Sequence, residues 1–333
     1  MDYNTKDMTK LRLKPVYWSI IFFFLAMCVM FSITPRIEPF LEENNIYVPE
    51  QPSSPADILP RPPGTTTDTG GTVIDIPEVP ATSSLPIIIL YFAVMIVVVS
   101  LVLYFIPLSA LKFVFRAVFA ILFAWGVFIL CVFYVPSWKI ALLIGVGVGT
   151  AWLFYTRMWL HNIALLISIA SLASVFGRFL NPWIALILLG ILAVYDLLAV
   201  RFGFMMWMAN KMSQNAALPA FVMPRKASDL RTTVRHVDLG DVAATKPSER
   251  DFSILGGGDI AFPLLLTASV FLAKDYGGLW AALVVACFGL IGLCAAYFIQ
   301  SKILKGKPVP ALPPIAVCGL IGMLIVHFIP FFS

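Results

Sequence analysis

Nine apolar runs of about twenty residues govern what this chain can become: 16–34, 86–108, 113–135, 138–156, 161–177, 182–201, 252–272, 279–299 and 311–332. A hydrocarbon core of about 30 Å needs about 20 residues of helix, and only helices or closed barrels satisfy their own backbone groups inside it. The expectation is an all-α, polytopic membrane protein with nine transmembrane helices. Composition agrees, with 60% hydrophobic and 12% charged residues, against about 25% charged in a soluble domain. An ordinary cytosolic enzyme and a disordered chain are excluded. A net charge of +5 spread over 333 residues makes no basic surface, so no nucleic-acid partner is expected. The first run is too long and continuous for a cleaved signal peptide. The fourth and fifth runs are short, with Arg157 and His161 between them. Merging them would make the count even and move the C-terminus to the other side.

Basic residues orient the spans, because Lys and Arg collect in cytoplasmic loops. With the N-terminus inside, 18 of the 23 basic residues fall inside, and only Arg36, Arg61, Lys139, Arg178 and Lys274 fall outside. The N-terminus is therefore expected in the cytoplasm and the C-terminus outside. Residues 1–15 form a cytoplasmic tail. Residues 16–177 hold the first five spans, with a Pro-, Thr-, Ser- and Gly-rich outer loop at 35–85 expected to be extended and mobile. Residues 178–333 hold spans six to nine, with a cytoplasmic loop at 202–251 expected to be partly ordered at the membrane surface. The five cysteines (Cys28, Cys131, Cys287, Cys294 and Cys318) all lie in apolar runs without a CxxC pair. Neither a disulfide framework nor a metal site is suggested, and no cofactor is expected.

Two of the 18 acidic residues stand inside apolar spans, Asp196 and Asp259. A charge at a helix centre costs about 2.5–3.5 kcal/mol even on the lenient insertion scale, so such acids are functional candidates. Asp196 lies five residues before Arg201, about 7–8 Å from the inner end of the sixth span at 1.5 Å per residue. Asp259 lies eight residues after Asp251, about 10–12 Å in if the seventh span is helical from its start. Similar depths on consecutive spans allow the two to pair. Paired carboxyls hold one proton between them near neutrality. The ionised member can then take a proton from water while the protonated member hydrogen-bonds a scissile carbonyl. His161, His236 and His327 fall in separate regions and compose no competing set.

Two further features converge on these acids. Gly256, Gly257 and Gly258 precede Asp259. Inside a helix each costs about 1 kcal/mol relative to Ala, and together they strip one wall of side chains. Such a wall could accept an unwound substrate segment by backbone pairing, although close helix packing also explains small residues in membranes. The run Pro308-Val309-Pro310-Ala311-Leu312-Pro313-Pro314 opens the ninth span with four prolines in seven residues. It removes backbone donors and prevents a regular first turn. Irregular backbone at that depth is tolerated only where it is buried in protein or lines a watery cavity.

At these residues the chain resembles the presenilin and signal peptide peptidase family of intramembrane aspartyl proteases. The family pattern is Tyr-Asp in the sixth span, Gly-x-Gly-Asp in the seventh and Pro-Ala-Leu at the ninth. Here these are Tyr195-Asp196, Gly256-Gly257-Gly258-Asp259 and Pro310-Ala311-Leu312. The resemblance implies a presenilin-like fold, Asp196 and Asp259 as catalytic pair, Pro310 to Leu312 shaping the site, and Tyr195 flanking it. Presenilins place the N-terminus in the cytoplasm, as the basic residues do here, which implies transmembrane substrates whose N-termini lie outside. The large loop between spans six and seven also resembles that of presenilin, where it is cut autocatalytically, but residues 202–251 offer no obvious long apolar segment to enter the site. Short tails without appended domains suggest a microbial homologue in a cell membrane, acting without obligate partner subunits; homo-oligomerisation stays open. Two other readings use the same acids. One is a proton- or cation-coupled transporter, which lacks the internal repeat expected of many transporters. The other is a prepilin-type peptidase, which needs no proline motif at a ninth span. Gly145-Val146-Gly147-Val148-Gly149 follows no strand and suits helix contact better than a nucleotide. Ser168, Ser171 and Ser174 likewise read as packing.

Overall fold

Apolar stretches bounded by Pro, Asn, Gly and polar residues become helices here, and their ends fall where those residues stop them. The structure is a computed structural model and describes residues 15–44, 90, 94, 97–98, 108–155, 157–202, 219–224, 229, 252–273, 275–276, 278–300 and 310–329. Helix α1 (Pro15–Ile33) leads through a 3-10 turn (Thr34–Arg36) into the short α2 (Ile37–Glu43). Then follow α3 (Leu108–Val132), α4 (Trp138–Phe154), α5 (Met158–Phe179) and α6 (Pro182–Arg201). Two strands, β1 (Ala220–Pro224) and β2 (Phe252–Gly256), precede α7 (Gly257–Leu272), α8 (Leu279–Phe298) and α9 (Leu312–Phe328).

Eight of these helices, all but α2, run 16 residues or more among the described residues. By length and composition five are able to cross a membrane: α1 continued through α2, then α3, α5, α6 and α8. The apolar α4, α7 and α9 are shorter, at 16–17 residues. The expected second span, 86–108, lies almost wholly outside the described residues. The fourth and fifth runs are separate helices, parted at Tyr155 to Arg157.

Helix α5 sits at the centre of the bundle, lined on one side by buried Ser168, Ser171 and Ser174. Ser168 donates to the Leu122 carbonyl of α3 at 3.3 Å, and Thr34 donates to Ser174 at 3.1 Å. The small residues thus serve packing, with hydroxyls used as short-range ties. Helix α6 begins where Asn181 accepts the Trp183 amide at 2.8 Å with Pro182 in the first position, a polar cap followed by a residue that needs no donor.

Three expectations need correction. The fold is not purely α, because 252–256 form a strand paired antiparallel with 220–224, with Val222 opposite Ile254 and Ala220 opposite Gly256. Periodicity cannot separate a short apolar strand from a helix start. Poor helix formers at Gly256 and Gly257, and a partner strand some thirty residues upstream, decide it here. Secondly, the loop 202–251 does not stay at the surface throughout. Ala220, Phe221, Val222 and Met223 are buried in the core, Phe221 stacking on Phe22 at 4.9 Å between ring centroids. An apolar segment of that loop therefore does enter the bundle. Thirdly, the outer loop starts as helix α2 rather than as extended chain. Arg178 pairs with Glu38 at 2.5 Å, and Arg36 lies over the Tyr134 ring and donates to the Phe133 carbonyl at 3.0 Å.

Candidate active site

Three helix ends meet at one level of the bundle. Asp196 lies in the last turns of α6, five residues before Arg201, and is only 8% exposed. Asp259 is the third residue of α7 and half-buried. Leu312 is the first residue of α9, and its backbone N–H donates to Asp196 Oδ2 at 3.2 Å. The Ala311 amide faces the same carboxylate. Asp196 and Asp259 lie close enough for the charge of one to act on the other.

The prolines account for this geometry. Pro313 and Pro314 occupy early positions of α9, where a missing N–H costs nothing because those amides have no helical acceptor. They leave Leu312 as the donor among the first three residues of the helix, and that donor is spent on Asp196. Pro310 and half-buried Ala311 lead into it, whereas Pro308 lies outside the described residues. Asp196 thus faces the N-terminal end of α9, and Asp259 sits in the first turn of α7. The macrodipole of α7 favours negative charge at Asp259, and at Asp196 the N-terminal end of α9 does so against the opposing C-terminal end of α6.

The glycine triplet is not a weakened mid-helix stretch, as a helical reading of 252–272 had it. Gly256 ends β2, and Gly257 and Gly258 open α7. The Asp259 carboxylate folds back over this junction: a Cβ on Gly256 would stand 3.1 Å from Asp259 Oδ2. The Gly256 amide faces the same carboxylate. Gly257 donates to the Pro219 carbonyl at 2.8 Å, extending the β1–β2 ladder to the helix start. Four residues beyond Asp259, Pro263 has no N–H to give the Asp259 carbonyl, which loosens this first turn. Asp259 is therefore reached over a short strand and a turn, not over two helical turns.

Tyr195 is half-buried beside Asp196. Other polar groups nearby were not singled out from the sequence. Tyr297 of α8 is electrostatically close to Asp259 and shares a 2.6 Å hydrogen bond with Ser19 of α1. Asn162 and His161 of α5 bind the backbone of β1. Asn162 carried a usable signal, a primary amide inside an apolar span. Tyr297 did not, since tyrosines near span ends ordinarily mark the membrane interface.

A sequence model described as "signal-peptide peptidase, presenilin aspartyl protease" matches residues 76–331. No curated protein sequence matches the chain. Among solved structures, one of a presenilin family intramembrane aspartate protease in a C222 crystal form superposes with a TM-score of 0.57 at 16% identity, covering 94% of this chain and 99% of that one. Another, in a P2 form, gives a TM-score of 0.53 at 17% identity over 95% and 98%. At such identities the likeness speaks for the fold, and the sequence model, which spans most of the chain, speaks for descent. The chain belongs to the signal-peptide peptidase and presenilin aspartyl protease family.

Proposed function

We propose that this protein hydrolyses peptide bonds within transmembrane segments of other membrane proteins, with Asp196 and Asp259 as its catalytic pair and water as nucleophile. The observation that carries this reading is Asp196 held by the start of α9, where Leu312 donates to it at 3.2 Å, with Asp259 close enough for the two charges to act on each other. The pair holds one proton. The ionised carboxylate removes a proton from water as the hydroxyl oxygen bonds to the scissile carbonyl carbon. The protonated carboxyl donates to the carbonyl oxygen. Collapse of the tetrahedral intermediate breaks the C–N bond: the amine leaves with the proton taken from water, and the hydroxyl formed from the carbonyl oxygen returns its proton to the second carboxylate, which restores the shared-proton state.

A substrate helix has its carbonyls in internal hydrogen bonds and must be unwound before attack. The extended β2, running straight into the turn that bears Asp259, offers such a segment backbone groups with which to pair. Gly256 leaves room for the Asp259 carboxylate, Gly257 for the Pro219 carbonyl and Gly258 for the Phe262 ring, which lets the strand turn tightly into the acid. Pro310, Ala311 and Leu312 hold Asp196 in place, and Tyr195 flanks the acids. Nine spans, an N-terminus in the cytoplasm and a C-terminus outside follow from the apolar runs and basic residues. They put the site toward the cytoplasmic side of a microbial cell membrane and favour substrates with outside N-termini. No partner subunit is required.

The test is incubation of the purified full-length chain with a labelled single-span substrate, followed by mass analysis of the fragments. Cleavage within the span by the wild type, and none by Asp196→Ala or Asp259→Ala, supports the reading. Near-normal turnover by either variant rejects the pair. Acid-dependent flux in liposomes without fragments points to transport instead.

A further inference from the structure

Strand β1 has two edges, and α5 occupies one of them. The Asn162 side chain accepts the Val222 amide at 3.0 Å through Oδ1 and donates to the Val222 carbonyl at 2.7 Å through Nδ2. This is the pair of bonds that a neighbouring strand would make. The preceding residue adds a third bond, His161 Nε2 to the Ala220 carbonyl at 3.0 Å. Trp152 donates its indole N–H to His161 Nδ1 at 3.3 Å, so that nitrogen is the acceptor and Nε2 carries the proton given to Ala220. His161, Asn162 and Trp152 are all at most 2% exposed.

The register gives this clamp a direction. In an antiparallel pair a residue turns its N–H and C=O to the same side, and successive residues alternate. Ala220 and Val222 give their groups to α5, so Pro219, Phe221 and Met223 face β2. The Gly257-to-Pro219 bond at 2.8 Å fits that alternation. Ile254 stands opposite Val222. Its N–H and C=O therefore point away from β1, to the far edge of β2.

We propose that Asn162, assisted by His161, is a positioning residue that acts as a substitute third strand. It closes the outer edge of β1, so that an unwound substrate segment adds at β2 and its register against Asp259 is fixed. This rests on the proteolytic reading above, and it names a determinant of where the substrate is cut. The hydrogen bonds that the Asn162 side chain makes among the described residues go to the backbone of β1. Its effect reaches the substrate through the sheet.

The experiment has two arms on the full-length protein, comparing wild type with Asn162→Leu and with the same-shaped Asn162→Asp, which keeps an acceptor for the Val222 amide and replaces the two-proton amide donor by a carboxyl with at most one. Hydrogen exchange reads the clamp without any need for activity. The amide of Val222 should exchange about tenfold or more faster in Asn162→Leu, and by a smaller factor in Asn162→Asp. Fragment masses from a single-span substrate read the consequence. Wild type should cut at one dominant position, and the variants should spread cleavage by steps of two residues, the repeat of a strand, with KM raised more than kcat is lowered. A merely structural role would lower the yield of active protein while leaving KM and cleavage positions unchanged, and that result overturns the proposal. Unchanged exchange at Val222 overturns it as well. Should Asn162→Leu fail to fold, Asn162→Asp carries both readouts. If the wild type exchanges as expected yet cuts nothing, the proteolytic reading fails, the register role falls with it, and the clamp alone stands.

Discussion

The chain carries two clusters of three glycines, the alternating Gly145-x-Gly147-x-Gly149 in α4 and the consecutive Gly256-Gly257-Gly258 at the head of α7. The structure uses them for different ends. In α4 two of the three face α3. A Cβ on Gly145 would lie 2.5 Å from the Ala124 carbonyl oxygen, and one on Gly149 would lie 2.5 Å from that of Ala120. Backbone meets backbone there, and the reward is helix contact. In the second cluster the neighbours are an acid and a strand: Asp259 Oδ2 at 3.1 Å from a Cβ on Gly256, and the Pro219 carbonyl at 2.8 Å from one on Gly257. Glycine by itself does not tell a seam from a site. The group that the missing side chain leaves room for does.

The sharpest break between the clusters is the acid beside the second. Asp259→Ala, and Asp196→Ala across from it, should lower turnover by about a thousandfold or more, to background, because each removes one of two groups acting as a unit. Thermal unfolding should be little changed in Asp259→Ala and modestly lowered in Asp196→Ala, which takes its acceptor from the Leu312 amide. Fragment yield and a melting curve on the same preparation check both. The pair also predicts a two-sided pH profile. On the alkaline side both carboxyls ionise and no proton remains for the carbonyl; on the acid side both are protonated and no base remains for water. Turnover should fall on each limb by about tenfold per pH unit. Undiminished hydrolysis at pH 10 by stable enzyme contradicts a shared proton.

A smaller effect is expected from Gly257→Ala. The added methyl would press on the carbonyl that the residue's own amide binds, and on Ile169 Cδ1 at 3.3 Å. The ladder between β1 and the start of α7 must then shift, and Asp259 shifts with it. About a 10- to 100-fold loss of turnover is expected, out of proportion to the loss of stability, since misplacing a reacting group by about 1 Å has that scale. Equal losses of activity and folded fraction would make Gly257 a packing glycine like Gly149.

How much of this was legible follows from where the physics is local. Apolar runs of span length pointed to most of the helices among the described residues, and two carboxylates within them pointed to the candidate site, because the bilayer makes an unneeded charge too costly to keep. The proline cluster was visible too, though its use was not. That Leu312 keeps its N–H while Pro313 and Pro314 have none became meaningful only with Asp196 beside it. The β1–β2 pair was illegible for a plain reason: its strands are five residues each and far apart in sequence, so no window contains both. Asn162 showed as a primary amide inside an apolar span, but its use was hidden in the same way, since its partner Val222 lies sixty residues on.

On the packing side, Gly149→Ala should act through stability alone. The methyl would meet the Ala120 carbonyl and the Ala124 Cβ, the latter at 2.9 Å, and α4 would have to move off α3. Overpacking of this kind costs about 1–3 kcal/mol. Turnover per folded molecule should stay at the wild-type value, as measured by active fraction after a denaturant titration. A change in cleavage position would link this seam to the site and erase the contrast.

The smallest effect belongs to the middle glycine of the same cluster. Gly147 is exposed on the outer face of α4, and nothing lies within 4 Å of the Cβ it lacks. Packing therefore gives no reason against a side chain. Alanine there would also reduce the freedom of the unfolded chain, a gain of about 0.4–1 kcal/mol where the native backbone suits it. Helical φ and ψ do suit it. In lipid the gain sits at the low end of that range, because an unfolded span remains largely helical. Gly147→Ala should thus raise the melting temperature slightly or leave it unchanged, with turnover unaffected. Measured beside Gly149→Ala, two residues away, it separates contact from composition. If both variants destabilise equally, the cluster matters for its flexibility along the helix, and the seam with α3 is not the reason those glycines are there.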